Sequence, residues 1–489
     1  MSIRKNTLYN ILGAGLPTFV SLITIPLYLK VIGDARYGVL AIVWLLLGYF
    51  SVFDLGLSRA TTNQIARLNN ATVKEREGVF WTALTLNGIL GTVGGLVLYF
   101  AAKPLMLYAF TMPDSLRNEV VSALPIIAAT VPVATMTGVF SGALGARERF
   151  ATMNIIQSLG TVLFQVTPLL AAFMYGTNLE LLIAVTVGAR IISALPFIPA
   201  VKKTLPLCNP PKFERHRVRE LLNYGVWVTV SNLLTPLLTA IDRFIIAALS
   251  GASAVAFYSV PYNLANRVSI LPAALASALF PQLSMTTSDR ARDLTIRSLQ
   301  IVAAVMTPLV IIGIFVIRPF LDLWVGKAFS LHAAPVGLLV LLGVWSKGLS
   351  FIPYNLLEAR GRPDLIAKLH GLEFVVYVPV LWFSIVSYGL EGAALSWSIL
   401  ILIDMMVLCR LAGIDGQSIL IQVVPFFIFL VLASVIAFAH YNNIVSIIIA
   451  VLLITSSVVM SNYCSITVRE YCSRYAKQYL LKTWSIFAR

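Results

Sequence analysis

Charge is scarce in this chain, acid scarcest of all, and so are the residues that crosslink or catalyse. Only 12% of its 489 residues are charged, and 21 acids stand against 36 lysines and arginines. So few charged groups cannot cover the surface of a soluble protein of this size, which excludes an ordinary globular domain. The cysteines, Cys208, Cys409, Cys464 and Cys472, form no C-x-x-C pair, so neither a disulfide framework nor a thiolate metal site is indicated. The histidines, His216, His332, His370 and His440, are scattered without paired metal spacing, and there is no G-x-S-x-G elbow or Walker loop. Hydrolytic chemistry and ATP binding have no foothold, and no cofactor is called for.

Long apolar runs are what the chain has instead. Hydrophobic residues make up 58% of it. The runs reach bilayer-spanning length at about 8–29, 38–57, 79–101, 120–144, 151–175, 179–201, 220–249, 255–283, 295–317, 334–357, 366–388, 391–411, 419–440 and 443–463. The expected fold is therefore an all-α polytopic membrane protein of about 14 transmembrane helices. The run after Met1 to Asn6 lacks a small-residue cleavage site and should stay as the first span.

The net charge of +15 is a matter of topology and says nothing of nucleic acid. Alternate loops hold most of the basic residues, including Arg59, Arg67, Lys74, Arg76, Arg147, Arg149, Arg290, Arg292, Arg360 and Arg362; the opposite side has Lys30, Arg36, Lys103, Arg117, Arg318 and Lys327. The positive-inside rule then puts both termini in the cytoplasm. A Pro-rich basic interval, 202–219, divides two sets of six spans, 1–201 and 220–412; two further spans occupy 413–463, and 464–489 reads as a basic amphipathic tail on the inner leaflet. The halves echo one another. Ala146-Arg147-Glu148-Arg149 between spans 4 and 5 recurs as Ala359-Arg360-Gly361-Arg362 between spans 10 and 11, as expected of a parallel repeat.

Four basic residues interrupt the apolar runs: Arg190, Arg243, Arg267 and Lys347. Each costs roughly 2.5–3.5 kcal/mol at the centre of a lipid-facing helix, so each should face a partner or a cavity, and an anionic cargo is the leading expectation. Polar stripes accompany them. The first span carries Asn10, Gly13, Pro17, Ser21, Thr24 and Tyr28 on one face; the seventh carries Asn223, Trp227, Ser231, Thr235, Thr239 and Asp242, with Arg243 four beyond Thr239; the eighth carries Ser259, Asn263, Asn266 and Arg267. Hydrogen bonding between packed helices, at about 0.6 kcal/mol per contact, is the alternative for such stripes, but in the eighth span an Arg with two Asn on one face makes a better ligand platform than a packing seam. Asp242 and Arg243 project about 100° apart on a helix and need not pair. The candidates for ion coupling are the acids Asp54, Asp242, Glu373 and Asp404; Asp54 also has a local hydrogen-bonding or Arg59-pairing role open to it, whereas Glu373 and Asp404 lie deeper in their spans, where a coupling cation or proton is as natural a partner as a structural ion pair.

Phe53-Asp54-Leu55-Gly56-Leu57, the opening Pro26-Leu27-Tyr28 with Gly33 and Tyr37-Gly38, and Ile241-Asp242-Arg243-Phe244-Ile245-Ile246 before Tyr258 resemble bacterial Wzx-type polysaccharide flippases. These belong to the multidrug/oligosaccharidyl-lipid/polysaccharide (MOP) superfamily. The resemblance implies two six-helix lobes around a central cavity and transport, not catalysis. It implies an undecaprenyl-pyrophosphate-linked oligosaccharide as cargo, an O-antigen or other surface repeat unit moved from the cytoplasmic to the periplasmic leaflet of the bacterial inner membrane, with polysaccharide-assembly membrane proteins as partners. Three alternatives stand beside it. A lipid II flippase shares the span number but carries a basic residue in its first helix, where this chain has none; a multidrug cation exporter would want acids in its cavity; a glycan polymerase or ligase would want a large outer loop, and the longest here are about 102–119 and 318–333.

Overall fold

The computed structural model describes residues 3–49, 54, 56–68, 72–205, 213–214, 218, 238, 240–285, 288–439 and 443–464. Most of the linker, most of span 7 and the basic tail beyond Cys464 lie outside the described residues. Every regular element described is helical, because a backbone in hydrocarbon has no water to bond and must satisfy its N–H and C=O groups within each segment. Eight described helices are long and apolar enough to cross a membrane, and two shorter apolar helices, Val423–Phe438 and Val445–Met460, follow. Phe19, Phe100, Phe173, Phe383 and Ile447 are all more than half exposed, a surface suited to lipid and not to water.

The chain separates into two compact units, Met1–Ala256 and Phe257–Arg489. In the first, α1 (Ile3–Tyr49) is two helices joined at Gly33, whose φ of 77° only glycine adopts cheaply. A short helix that hydropathy did not announce, α2 (Leu57–Arg67), leads to α3 (Val73–Pro104), which starts on a capping box between Thr72 and Glu75. Then come α4 (Asp114–Ala146), α5 (Phe150–Tyr175), α6 (Leu179–Ala194), α7 (Phe197–Thr204) and α8 (240–249). Close packing depends on small residues. A Cβ at Gly142 of α4 would sit 2.6 Å from the Ser58 carbonyl oxygen of α2, so the two helices touch backbone to backbone. Glu119 of α4 binds Arg36 of α1 at 2.9 Å and accepts the Leu179 N–H at the start of α6 at 2.7 Å, joining three helix ends. The Thr111 N–H and hydroxyl bond the Ala247 and Ala248 carbonyls at 3.2 and 2.8 Å, which fixes α8 to this unit.

The second unit contains most of α9 (Ala252–Asn266), then α10 (Ile270–Met285), α11 (Ser288–Trp324), α12 (Lys327–Ala359), α13 (Pro363–Leu411), α14 (Gly416–Phe438) and α15 (Asn443–Cys464). Its core helix is α12, packed on α10, α11 and α13. The buried Trp345 indole donates to the Thr307 hydroxyl of α11 at 3.0 Å, and Ser398 of α13 donates to the Leu339 carbonyl of α12 at 2.7 Å. Like α1, α13 is two helices joined at a positive-φ glycine, Gly389. The last two helices pack on α11.

The sequence echo between the halves is also a backbone echo. After α4, the Glu148 N–H bonds the Gly145 carbonyl and the Arg149 N–H bonds the Leu144 carbonyl, both at 3.0 Å; after α12, the Gly361 N–H bonds Glu358 at 3.0 Å and the Arg362 N–H bonds Leu357 at 2.9 Å. Both are Schellman turns, with the third residue of each four-residue echo left-handed at φ 56° and 68°. A side chain pays for that conformation and glycine does not, by about 1–2 kcal/mol. Glu148→Gly should therefore raise the melting temperature of the purified protein, whereas Gly361→Ala lowers it; shifts of the same sign would contradict the shared turn geometry.

Candidate functional site

The four membrane cations meet different fates. Arg243 of α8 is buried, and its Nη1 and backbone N–H both reach Asp242 Oδ1, at 2.9 and 2.8 Å. The expectation that adjacent Asp242 and Arg243 need not pair is thus corrected. The 100° between their Cβ directions is overcome because the long Arg side chain curls back along the helix. The polar stripe expected N-terminal to them, Asn223 to Thr239, lies outside the described residues.

Arg190 is half-buried on α6, and Arg267 is exposed; neither has an acid beside it among the described residues. Arg267 opens a three-residue 3-10 segment, Arg267–Ser269, that interrupts the eighth span between α9 and α10. Pro272 explains the break. It has no N–H to offer the Val268 carbonyl four residues earlier, and its ring presses on that turn. Across from the break stands Lys347 of α12, whose Nζ donates to Asn266 Oδ1 at 3.1 Å. Gly348 makes this approach possible: a Cβ there would meet Pro272 Cγ at 3.1 Å and Met306 Cε at 3.0 Å. Asn263, one turn before Arg267, is exposed. Asn263, Asn266, Arg267 and Lys347 therefore gather around a broken helix, with a neutral amide bonded to Lys347, an arrangement suited to an anion that supplies hydrogen-bond acceptors.

Two residues of the first-span stripe are packed in the interior. Tyr28 is fully buried, donates its hydroxyl to the Gln165 carbonyl of α5 at 2.7 Å and lies edge-on to Trp44 with ring centroids 5.4 Å apart. Thr24 is buried as well. Asn10 falls in α1, but its side chain lies outside the described residues. Asp54 takes the local role open to it, accepting the Ser58 N–H at 2.9 Å at the start of α2.

The deep acids converge. Glu373 and Asp404, on the two halves of α13, are both more than nine-tenths buried, and their carboxyl groups approach within hydrogen-bonding reach. A carboxylate only accepts hydrogen bonds, so two this close are stabilised by a shared proton, a bound cation or a neighbouring imidazolium. His370 completes the group, with Nε2 3.8 Å from Asp404 Oδ1. Sequence reasoning missed it by seeking paired histidines; the usable signal was His370-Gly371-Leu372-Glu373, which puts imidazole and carboxyl on one helix face.

The chain belongs to the polysaccharide biosynthesis protein family, which matches residues 3–287. A Shigella flexneri protein named "Putative O-antigen transporter" is 28% identical over 409 residues, spanning 83% of this chain and 97% of that one. Among solved structures, the lipid II flippase MurJ in its inward closed conformation aligns with a TM-score of 0.70 at 14% identity, over 94% of this chain and 98% of that chain. An inward-facing multidrug resistance MATE family transporter of the MOP superfamily aligns at 0.69 and 13% identity, over 82% and 97%. The all-helical MOP fold is shared, and the reading of a multi-pass membrane transporter, not an enzyme, agrees with these matches.

Removing one member of a buried ion pair strands the other, at a cost of about 3–5 kcal/mol. Arg243→Ala should accordingly lower the melting temperature sharply, and adding Asp242→Asn should recover most of the loss. A single variant as stable as the parent would contradict a structural role for the pair.

Proposed function

We propose that this protein is a flippase that carries an undecaprenyl-pyrophosphate-linked oligosaccharide, an O-antigen or similar repeat unit, from the cytoplasmic to the periplasmic leaflet of the bacterial inner membrane by alternating access. The observation that carries the reading is Arg267, a cation at a helix break within an apolar span, with no acid beside it among the described residues. An Arg kept in a membrane protein at that cost without a resident counter-ion is poised for an anion that comes and goes. Pyrophosphate fits this requirement, since guanidinium and ammonium groups bind phosphate oxygens through short charge-assisted bonds. The glycan needs a polar path because its hydroxyls cannot lose water uncompensated, whereas the polyprenyl chain stays in lipid throughout. Asn263 and Asn266 offer amide donors and acceptors for it. Arg190 gives the first unit a cation of the same kind. Family membership and the Shigella relative support the polysaccharide, and the excess of basic groups disfavours a cationic drug.

Loss of one charge-assisted contact costs about 1.5–3 kcal/mol, or roughly 10–100-fold. Arg267→Ala and Lys347→Ala should each cut export of the lipid-linked glycan by that factor at normal protein level, and Arg267→Lys should keep part of it. Undiminished export by Arg267→Ala would remove this residue from the cargo site.

Coupling to an ion gradient is proposed at Glu373 and Asp404. Exchange of a proton or cation between these acids would change the charge held between the two halves of α13, and with it the balance of conformations. Glu373→Gln or Asp404→Asn should abolish the dependence of flipping on an imposed gradient while cargo binding without a gradient is retained. Unaltered gradient dependence in both variants would exclude them.

A further inference from the structure

We propose that His370, Glu373 and Asp404 form a binding site for a divalent first-row transition ion, with Zn2+ as the test ion. The same acids serve the proposed coupling, but the metal inference rests on the imidazole and on geometry. One candidate ligand atom from each residue lies within 4.8 Å of the other two. Tetrahedral zinc with bonds of about 2.0–2.2 Å holds its ligand atoms roughly 3.3–3.6 Å apart. The 3.8 Å between His370 Nε2 and Asp404 Oδ1 is too long for a hydrogen bond and within a small side-chain adjustment of that spacing. The second observation is an unmet need. Glu373 Oε1 and Asp404 Oδ1 are fully buried without a hydrogen-bond donor, and the latter is the atom facing the imidazole. A buried carboxylate oxygen normally finds a donor or a cation.

The donor set decides the class of ion. Sodium, magnesium and calcium prefer oxygen ligands alone, whereas one imidazole with two carboxylates is a common set for zinc and its neighbours. Location suggests the consequence. His370 and Glu373 precede the bend at Gly389 and Asp404 follows it, so a bound ion would pin the two halves of α13 together. Zinc would then oppose whatever relative motion of these helices the transport cycle uses.

The test titrates metal-free, full-length protein in detergent with ZnCl2 against a chromophoric chelator, comparing the parent with His370→Ala, Glu373→Gln and Asp404→Asn. One tight site per chain is expected, weakened roughly 10–100-fold in each variant. X-ray absorption on the zinc-loaded parent guards against variants that misfold, and should report one nitrogen and at least two oxygen neighbours at about 2.0–2.1 Å. Absence of a tight site, equal affinity in all four proteins, or an all-oxygen or sulfur shell would overturn the proposal. Binding is read without any gradient, so the two readings fail separately. Gradient-dependent flipping by a parent that binds no zinc sinks only the metal site, and zinc binding with gradient-independent flipping sinks only the coupling.

Discussion

A charge inside a bilayer must be neutralised by something within reach, and this constraint orders the whole molecule. Hydration is lost, the dielectric is low, and an unmatched ion costs several kcal/mol even after relaxation. The chain resolves the problem in three ways. Asp242 and Arg243 neutralise one another inside α8, at 2.9 Å and out of contact with solvent. Glu373 and Asp404 are buried side by side, with the His370 imidazole 3.8 Å from Asp404, so a proton or cation between them would offset their repulsion. Arg190 and Arg267 have no acid beside them among the described residues, and Lys347 bonds the neutral amide of Asn266. Among the described residues, Arg190 and Arg267 are therefore the cations proposed to meet a transient ligand.

Helix geometry follows from the need to bring these groups together while leaving every backbone polar group satisfied. A proline and a glycine act as a pair here: Pro272 breaks the eighth span at Arg267–Ser269, and Gly348 on α12 leaves room for the Pro272 ring to pack against it. The break lies beside polar side chains, Asn266 and Lys347, and irregular backbone at membrane depth is tolerated only where protein or a polar cavity borders it. Discontinuous helices at charged sites are a recurring device in transporters for the same reason. The repeated Schellman turn after α4 and after α12 shows that the two halves also end equivalent helices by equivalent hydrogen bonds, although one uses Glu148 where the other uses Gly361.

Hydropathy made the order and approximate extent of the long helices legible, because lipid imposes one solution on any run of about 20 apolar residues. The echo at Arg147 and Arg360 was legible as a repeat, and the matching turns became visible only in the structure. The short helix α2 escaped because its polar sequence carries no spanning signal. Contacts between distant spans were illegible in kind: nothing local says that Lys347 reaches Asn266, 81 residues away, or that Asp404 meets Glu373. Asp242 and Arg243 were read apart because helical angle describes where a side chain starts and not where a flexible one ends. Tyr28, on the expected cargo stripe, gives its hydroxyl to Gln165, which periodicity alone could not distinguish from a ligand-facing role.

If cations without resident acids grip the cargo through its phosphates, transport must require that charge. The most direct measurement compares transbilayer movement of two lipids in proteoliposomes containing the full-length protein: an undecaprenyl-pyrophosphate-linked oligosaccharide and the same glycan joined to the same polyprenyl chain through an uncharged linkage. The charged lipid should be flipped at least about tenfold faster, the factor expected from a single lost charge-assisted contact. Equal rates for the two would contradict the central claim.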